Sequence, residues 1–316
     1  MLLEDLVVIL KVAEFRSITA AASSLDMRTA TASAAVKRVE STLGSDLFIR
    51  TTRSLRLSAA GERYLPICEQ AITMLEHAKQ NLQEDTGNIE GELRIGLSSD
   101  LGRNVIAPWL NSFMDEHTGI TLKLHLSDSN IDFYRDPVDI ALRYGSPNDA
   151  SLYGFKICEV PRLLVASPTY LEKHGTPKNL EDLPKHNGLF YQLHDIIYNE
   201  WELTYNNQPV KIKMQGNRAA NDGDMVRRWC VNGHGLAVKS SLDMCDDLLN
   251  GRAVALMPEY IVKPTQLWLI CPSRQTITPA VRLLRDTLRT HCQYQLQQLM
   301  KMVLIPSLIY CQETMS

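Results

Sequence analysis

The chain lacks the cysteine spacing and the long apolar runs that would assign it to several common classes. Its seven cysteines include no CxxC pair, which argues against a zinc ribbon or a disulfide framework and fits a reducing compartment. No apolar run reaches the ~18–20 residues that span a bilayer. Glu4 and Asp5 interrupt any basic-then-apolar signal pattern at the N-terminus. We therefore expect a cytoplasmic protein with no membrane partner.

Motifs of common enzymes are also missing. The sequence contains no GxSxG, P-loop or HExxH motif, and its eight histidines show no metal-ligand spacing. The segment Gly233-His-Gly235 follows a predicted helix and precedes a predicted strand, so it predicts a turn rather than a dinucleotide loop. We expect no catalytic residues, no metal and no cofactor.

Charge is small overall but uneven along the chain. The net charge of 316 residues is only −3. Between positions 28 and 56, however, six arginines and lysines stand against two acidic residues, so the remainder is acidic. A basic segment on an acidic body is typical of a DNA-binding module attached to a second function. The length allows two or three domains of ~100–200 residues each.

Residues Ser17 to Val36 have the spacing of a helix-turn-helix. Ser17 is a predicted N-cap, and Asp26 falls at the turn, where a left-handed backbone is expected. The second helix would lie in the major groove of double-stranded DNA. The predicted DNA contacts on it are Arg28, Thr29, Thr31, Ser33 and Lys37. Taken alone, the motif also fits two alanine-rich core helices joined by a turn.

A basic ribbon is predicted after this motif. Leu43-Gly44 predicts the end of a helix, and side chains alternate from Leu47 to Ser58 as in two paired strands. Arg50 and Arg53 would lie at the tip of this wing and contact phosphate or the minor groove. Together the two motifs predict a winged helix-turn-helix.

Residues 59–85 predict one helix ~40 Å long. Its apolar stripe contains Leu65, Ile72, Leu75 and Leu82. Since nothing in the wing domain looks large enough to cover this stripe, we expect it to pair with a second copy of the chain.

Strands alternate with helices beyond a polar hinge, which indicates an α/β region with a largely parallel sheet. The region is long for one sheet, so we expect two lobes. The predicted divisions are 1–58 for the DNA-binding domain, 59–90 for the linker helix and hinge, 91–292 for the α/β region and 293–316 for a tail without an assigned role. Lobe I would comprise about 91–161 and 266–292, and lobe II about 162–265.

Two polar junctions in the α/β region are candidate anion sites. Ser98 and Ser99 follow a strand and precede a helix, whose backbone N–H groups favour an anion. Asn221 and Asp222 precede a helix of the predicted second lobe and would face the same cleft. At both places simple helix capping is the alternative, and Asp100 adds its own carboxylate at the first.

The sequence resembles LysR-type transcriptional regulators over roughly residues 3–292. The N-terminal part of the resemblance rests on Ser17-Ile-Thr-Ala-Ala-Ala, Leu25, Val39-Glu40, Leu43-Gly44, Leu47-Phe48-Ile49-Arg50, Thr52-Arg53, Leu57-Ser58 and Gly61. The C-terminal part rests on Gly91-Glu-Leu-Arg-Ile-Gly, Pro108-Trp-Leu, Val138-Asp139-Ile-Ala-Leu-Arg143 and Gly233-His-Gly235. Arg28-Thr29-Ala30 and Ala34 depart from the usual recognition-helix pattern, which leaves the operator sequence open.

The resemblance implies a two-lobed effector domain similar to type 2 periplasmic binding proteins, and a homodimer or homotetramer that responds to a small metabolite. RNA polymerase would be a further partner of an activator. Within the family, Ser98-Ser99, Gly102-Arg103 and Asp222-Gly223-Asp224 resemble regulators of D-malate and tartrate utilisation, which implies an organic-acid effector.

The leading hypothesis is therefore a DNA-binding transcriptional regulator modulated by a small metabolite, for which a carboxylate is expected. The alternative is a solute-binding or sensor protein without direct DNA readout. The wing arginines and the missing signal pattern argue against it. An α/β enzyme ranks last, because no catalytic motif is present.

Overall fold

The computed structural model describes residues 1–50, 55–82, 89–129, 131–133, 136, 138–147, 149–193 and 195–302. The chain divides into two compact units, an N-terminal one made mainly of Met1–Asp85 and a C-terminal one made of most of the remainder. Within the described ranges, no helix is long and apolar enough to cross a membrane.

The described part of the N-terminal unit contains four helices and a two-stranded ribbon. Its elements are α1 (Leu3–Phe15), α2 (Ile18–Ser24), α3 (Thr29–Leu43), β1 (Phe48–Arg50), β2 (Leu55–Leu57) and α4 (Ala59–Leu82). The strands β1 and β2 are antiparallel, with Phe48 opposite Leu57, which confirms the predicted ribbon. One apolar core joins all the helices and includes the buried side chains of Ile9, Ala22 and Val36.

The predicted apolar stripe of α4 is divided between the core and the surface. Leu65 and Ile72 are only 4% and 9% exposed and belong to the core of the N-terminal unit. The prediction that nothing in this unit covers the stripe was therefore wrong for these two residues, because they lie two helical turns apart on one face of α4 and pack against the other helices. Leu75 is 55% exposed. The side chain of Leu82 lies outside the described residues.

The C-terminal unit begins with three parallel strands and a helical segment. These are β3 (Gly91–Leu97), α5 (Ser99–Leu101), α6 (Ala107–Glu116), β4 (Ile120–Leu126) and β5 (Ile140–Tyr144). A π-helical turn, Gly102–Ile106, joins α5 to α6. Strand β3 pairs in parallel with both β4 and β5, so α5 starts at the carboxyl end of the central strand of lobe I.

Among the residues that the structure describes, lobe II and the returning segments contain nine strands and four α-helices. They are β6 (Tyr153–Ala166), α7 (Pro168–His174), β7 (Leu189–Leu193), β8 (Ile196–Ile197), β9 (Glu200–Tyr205), β10 (Gln208–Lys213), β11 (Arg218–Ala220), α8 (Gly223–Val231), β12 (Ala237–Ser240), α9 (Cys245–Leu249), β13 (Val254–Ala255), β14 (Ile261–Cys271) and α10 (Pro279–Met302). Two apolar clusters lie in this unit, and one of them is confined to lobe II.

Two long strands, β6 and β14, connect the lobes. They are antiparallel to each other, and β14 pairs with β5 in lobe I and with β9 in lobe II. Among the described residues, parallel pairing of strands is limited to β3 with β4 and β5 and to β7 with β11. The prediction of a largely parallel sheet was therefore wrong. Long connecting strands and hairpins such as β9–β10, which turns through Asn206 and Asn207 at positive φ, reverse the chain direction.

The last helix is longer than the sequence suggested. Helix α10 continues to Met302, so residues 293–302 of the predicted tail are helical. Leu296 and Leu299 are 4% and 0% exposed and extend the packing of α10 against the core. The remaining tail, 303–316, lies outside the described residues.

Candidate functional site

The helix-turn-helix is formed by α2 and α3. Asp26 has φ +49°, which confirms the left-handed turn residue, and the Ser17 Oγ accepts a hydrogen bond from the Ala20 N at 3.2 Å, which confirms the N-cap. Ala21 and Ala32 are fully buried where the two helices pack. Small side chains at this crossing allow the helices to approach closely, so the outer face of α3 projects away from the core.

Most predicted DNA contacts lie on that outer face. Arg28, Thr29, Thr31 and Lys37 are exposed, whereas Ser33 is partly buried. The opposite face supplies core residues, namely Ala32, Ala35, Val36 and Val39. Helix α3 thus presents hydroxyl and cationic groups together on one accessible surface.

One exposed arginine of α3 is occupied within the chain. The Arg38 Nη2 lies 2.5 Å from the Asp5 Oδ1, and the Arg38 Nε donates to the Asp5 Oδ2 at 3.2 Å. Asp5 is buried in α1, and the hydrogen bond from Arg38 lowers the pKa of its carboxyl. This bidentate pair fixes α3 against α1 and gives Arg38 a structural role.

The wing is attached to both neighbouring helices. The Glu40 Oε1 accepts hydrogen bonds from the backbone N of Leu47 at 2.9 Å and of Phe48 at 3.1 Å. A Cβ on Gly61 would overlap the carbonyl oxygen of Leu47, which explains glycine at this position. The side chain of Arg50 and all of Arg53 lie outside the described residues, so their predicted contacts stay predictions.

The two predicted anion sites of the C-terminal unit, at the start of α5 and at the start of α8, meet at the interface of the lobes. The Ser99 Oγ of lobe I lies 3.1 Å from the Asp222 Oδ1 of lobe II. Ser98 is half-buried and makes no capping hydrogen bond with its side chain, and Asn221 is exposed. Asp222 caps α8 by accepting from the Met225 N at 3.0 Å, so the capping alternative holds for this residue.

A carboxylate that the sequence did not single out, that of Asp128, occupies the junction. It accepts hydrogen bonds from the Ser99 N at 2.6 Å, from the Ser99 Oγ at 2.8 Å and from the Gly223 N at 2.6 Å. Asp128 follows β4 in lobe I, whereas Gly223 is the first residue of α8 in lobe II. An anion therefore lies at the start of α8, and it comes from the chain itself.

A buried ion pair lies beside this carboxylate. Lys239 of β12 pairs with Asp100, and its Nζ donates to the Gly223 carbonyl oxygen at 3.0 Å. Burial of the Asp100 carboxyl raises its pKa, although the Lys239 charge opposes this shift. Burial disfavours the charge of Lys239, but the neighbouring carboxylates of Asp100 and Asp243 dominate and raise its pKa. Asp100 lies in the first turn of α5, as the sequence indicated, and its carboxylate is paired across the lobes with Lys239.

Further polar contacts cross from lobe I to lobe II, and two of them are short. The Tyr144 OH donates to the Asp243 Oδ1 at 2.7 Å, and the Asn104 Nδ2 donates to the Asp224 Oδ1 at 2.8 Å. Burial, together with the Asp100 charge, raises the pKa of Asp243 to about 7. In this conformation the lobes are held together by complementary polar groups.

Sequence reasoning missed most of these residues for a physical reason. Asp128 lies 29 positions from Ser99 and 95 from Gly223, so no local pattern connects them. Lys239 alone carries a local indication, because it is a charged residue in the otherwise apolar and small run Ala237–Ser240, which is typical of a buried partner.

Comparison with known families decides the class of the protein. The profile of the bacterial regulatory helix-turn-helix protein, lysR family, matches residues 3–62, and that of the LysR substrate binding domain matches residues 86–293. The chain belongs to the LysR family of transcriptional regulators. As a LysR regulator it binds DNA and a small-molecule effector, and it is not an enzyme.

Curated LysR relatives span nearly the whole chain. The HTH-type transcriptional regulator DmlR of Escherichia coli K12 is 32% identical over 92% of this chain and 94% of its own. The HTH-type transcriptional activator TtdR of the same strain is 26% identical over 93% of this chain and 95% of its own.

Solved LysR structures agree with the fold. CrgA, a LysR-type transcriptional regulator from Neisseria meningitidis, is 27% identical, with a TM-score of 0.59 over 91% of this chain and 98% of its own. The full-length Vibrio cholerae virulence activator AphB is also 27% identical, with a TM-score of 0.55 over 91% of this chain and 98% of its own. The predicted combination of a winged helix-turn-helix with a two-lobed α/β domain is confirmed.

Proposed function

We propose that this LysR regulator reads promoter DNA through the outer face of α3 and the wing, and that a small carboxylate bound between the lobes modulates this readout. The proposed DNA contacts are Arg28, Thr29, Thr31, Ser33, Lys37, Arg50 and Arg53. The observation that carries the proposal is the segregation of α3, whose polar and cationic residues are exposed on the face opposite its core residues.

A carboxylate effector is supported by the chemistry of the lobe interface. The start of α8 supplies the Gly223 N, and Ser99 supplies its backbone N and hydroxyl, all of which already hold a carboxylate. The similarity to DmlR and TtdR makes D-malate and tartrate the first effectors to test. Ser98, Asn221 and Asp222 complete the proposed effector contacts.

Self-association through α4 is part of the proposal. Ile67, Met74 and Leu75 are 67%, 49% and 55% exposed, which leaves an apolar face on this helix. A homodimer or homotetramer formed through it would present two readers to two operator half-sites. If the protein is an activator, RNA polymerase is a further partner, and a DNA-bound regulator of this family would act in the cytoplasm.

The proposal is tested by fluorescence anisotropy of the full chain on an operator selected from random duplexes. D-malate or tartrate is expected to change the apparent affinity of the wild-type protein, since a ligand that favours one lobe arrangement shifts the population. The variant Ser99→Ala is expected to keep basal DNA binding and lose the effector response.

Ser151→Ala is the matched control, because Ser151 is an exposed serine of the same lobe that bonds to Asp149 instead of lobe II. It should respond like the wild-type protein. Equal half-saturation by the effector in Ser99→Ala and wild type would show that the ligand binds elsewhere.

A further inference from the structure

We propose that Asp128 is a tethered competitor that occupies the place of the effector's carboxylate until the effector displaces it. This inference rests on the proposed carboxylate effector. The Asp128 carboxylate accepts three hydrogen bonds, two from Ser99 and one from the Gly223 N. The interface of the lobes is therefore occupied by a group of the same chemistry as the proposed ligand.

The electrostatics of the site favour one anion at this place. Gly223 is the first residue of the nine-residue helix α8, whose N-terminus carries a partial positive charge. Lys239 is close by, because its Nζ donates to the Gly223 carbonyl oxygen at 3.0 Å. Backbone N–H groups, a hydroxyl and a nearby ammonium together make a built anion site.

A further anion cannot simply be added beside the Ser99 hydroxyl. The Ser99 Oγ already lies 2.8 Å from the Asp128 Oδ2 and 3.1 Å from the Asp222 Oδ1, so two carboxylates flank this hydroxyl. A third would face strong repulsion in a partly buried place. An incoming carboxylate must replace one of the two that are present.

Asp128 is the carboxylate that can leave. Asp222 caps its own helix by accepting from the Met225 N at 3.0 Å and lies 3.4 Å from the Arg103 Nη1, so its loss would uncap α8. Asp128 belongs to a different element and a different lobe. Its departure removes one link between the lobes while the pairs Asp100–Lys239 and Tyr144–Asp243 persist.

The exchange couples binding to conformation. When an external carboxylate takes the donors of Ser99 and Gly223, it bridges the lobes itself, and the side chain of Asp128 is released. Displacing the Asp128 carboxylate costs free energy. The apparent affinity of the effector is therefore lower than its affinity for a site from which this carboxylate has left.

Chemical rescue tests this inference without DNA and without the natural effector. The probe is acetate, and the protein is the full chain with Asp128→Ala. Acetate at about ten times its dissociation constant should raise the Tm of this variant saturably by about 3 °C, because it binds the folded site that the substitution empties. The Tm of the wild-type protein should stay nearly constant.

Asp149→Ala is the matched control. The Asp149 Oδ1 also accepts from a backbone N and a serine hydroxyl, those of Ser151 at 2.8 and 2.7 Å, but at an exposed loop without a helix start or a second lobe. Acetate should not rescue it. The smaller polar variant Asp128→Ser provides the same test if Asp128→Ala does not fold.

The outcomes separate this inference from the proposed function. Two results would overturn the proposed role of Asp128, even if D-malate or tartrate regulates DNA binding. One is that acetate leaves the Tm of the Asp128 variants unchanged. The other is that acetate raises the Tm of the wild-type protein and of Asp149→Ala by the same amount. Rescue by acetate supports an anion site beneath Asp128, even if those two acids leave DNA binding unchanged and the effector is another anion. A tenfold tighter binding of D-malate to Asp128→Ala than to wild type in calorimetry would support displacement directly.

Discussion

Two neighbouring basic residues of α3 differ in their contacts, because in the part of the chain that the structure describes Arg38 has an ion-pair partner and Lys37 has none. Arg38 forms a bidentate pair with buried Asp5, whereas Lys37 is exposed on the outer face. The sequence indicated that both are basic residues on the recognition helix. Only Lys37 was among the predicted DNA contacts, but the ion pair of Arg38 was not predicted, because Asp5 lies 33 positions away in α1.

We expect Lys37→Ala to weaken DNA binding and to flatten the salt dependence of log K by ~0.9 if one phosphate contact is lost. Its Tm should equal that of the wild-type protein. Arg38→Ala should instead lower the Tm, because buried Asp5 then loses its charged donor. Salt titrations and thermal unfolding of both variants check this, and a Tm loss confined to Lys37→Ala would contradict it.

Asp243 should make the C-terminal unit less stable as the pH rises from about 4 to 7. Its folded pKa of about 7 exceeds the ~3.9 of an unfolded aspartate, so the folded state keeps a proton that the unfolded state has lost. The groups facing it are Tyr144, Asp100, Lys239 and Asp128. Asp243→Asn mimics the protonated form.

The difference in the free energy of unfolding, Asp243→Asn minus wild type, is therefore expected to be more positive at pH 8 than at pH 5. Denaturant unfolding at both pH values measures this difference. If the difference in the free energy of unfolding between the two proteins does not change with pH, the pKa of Asp243 is not raised.

Single elements show which features local sequence determines. The caps at Ser17 and Gly44, the turn at Asp26 and the ribbon of the wing were all predictable, because each depends on residues a few positions apart. Strand direction was not, because the pairing of β14 with β5, β6 and β9 depends on contacts across the whole C-terminal unit. Helix α4 combines both cases, since its apolar period was predicted, but the prediction of a second copy as partner was wrong for Leu65 and Ile72.

The two apolar faces of α4 predict different results for two leucines. Leu75→Asp should yield monomers with little loss of Tm, because Leu75 is exposed in the single chain and is proposed to contact a second copy. Leu65→Ala should lower the free energy of unfolding by about 2–5 kcal/mol, because it removes a buried side chain from the core.

Light scattering with thermal unfolding separates the two effects. Glu76→Ala controls for surface changes on α4, since Glu76 is exposed next to Leu75. Native oligomers of Leu75→Asp would exclude this face from the interface.

The whole molecule consists of two units with separate apolar cores. Two-domain proteins of this kind commonly unfold in more than one step. Leu47→Ala and Leu110→Ala form a matched pair, because each removes a side chain that is 1% exposed from one of the cores.

In calorimetry each variant should shift one transition, by an amount that corresponds to about 2–5 kcal/mol, and leave the other in place. Acetate on Asp128→Ala should move only the transition that Leu110→Ala lowers. A single transition that both leucine variants shift equally would mean that the units unfold as one.

A binding site that is filled by a side chain of the same protein raises the effector concentration at which the regulator responds. Because Asp128 must be displaced first, the dose–response curve moves to higher metabolite concentrations without any change in the contacts made by the ligand. Substitutions at this one position would then tune the sensitivity of a biosensor built on this protein, while the surface of α3 that selects the target genes stays the same.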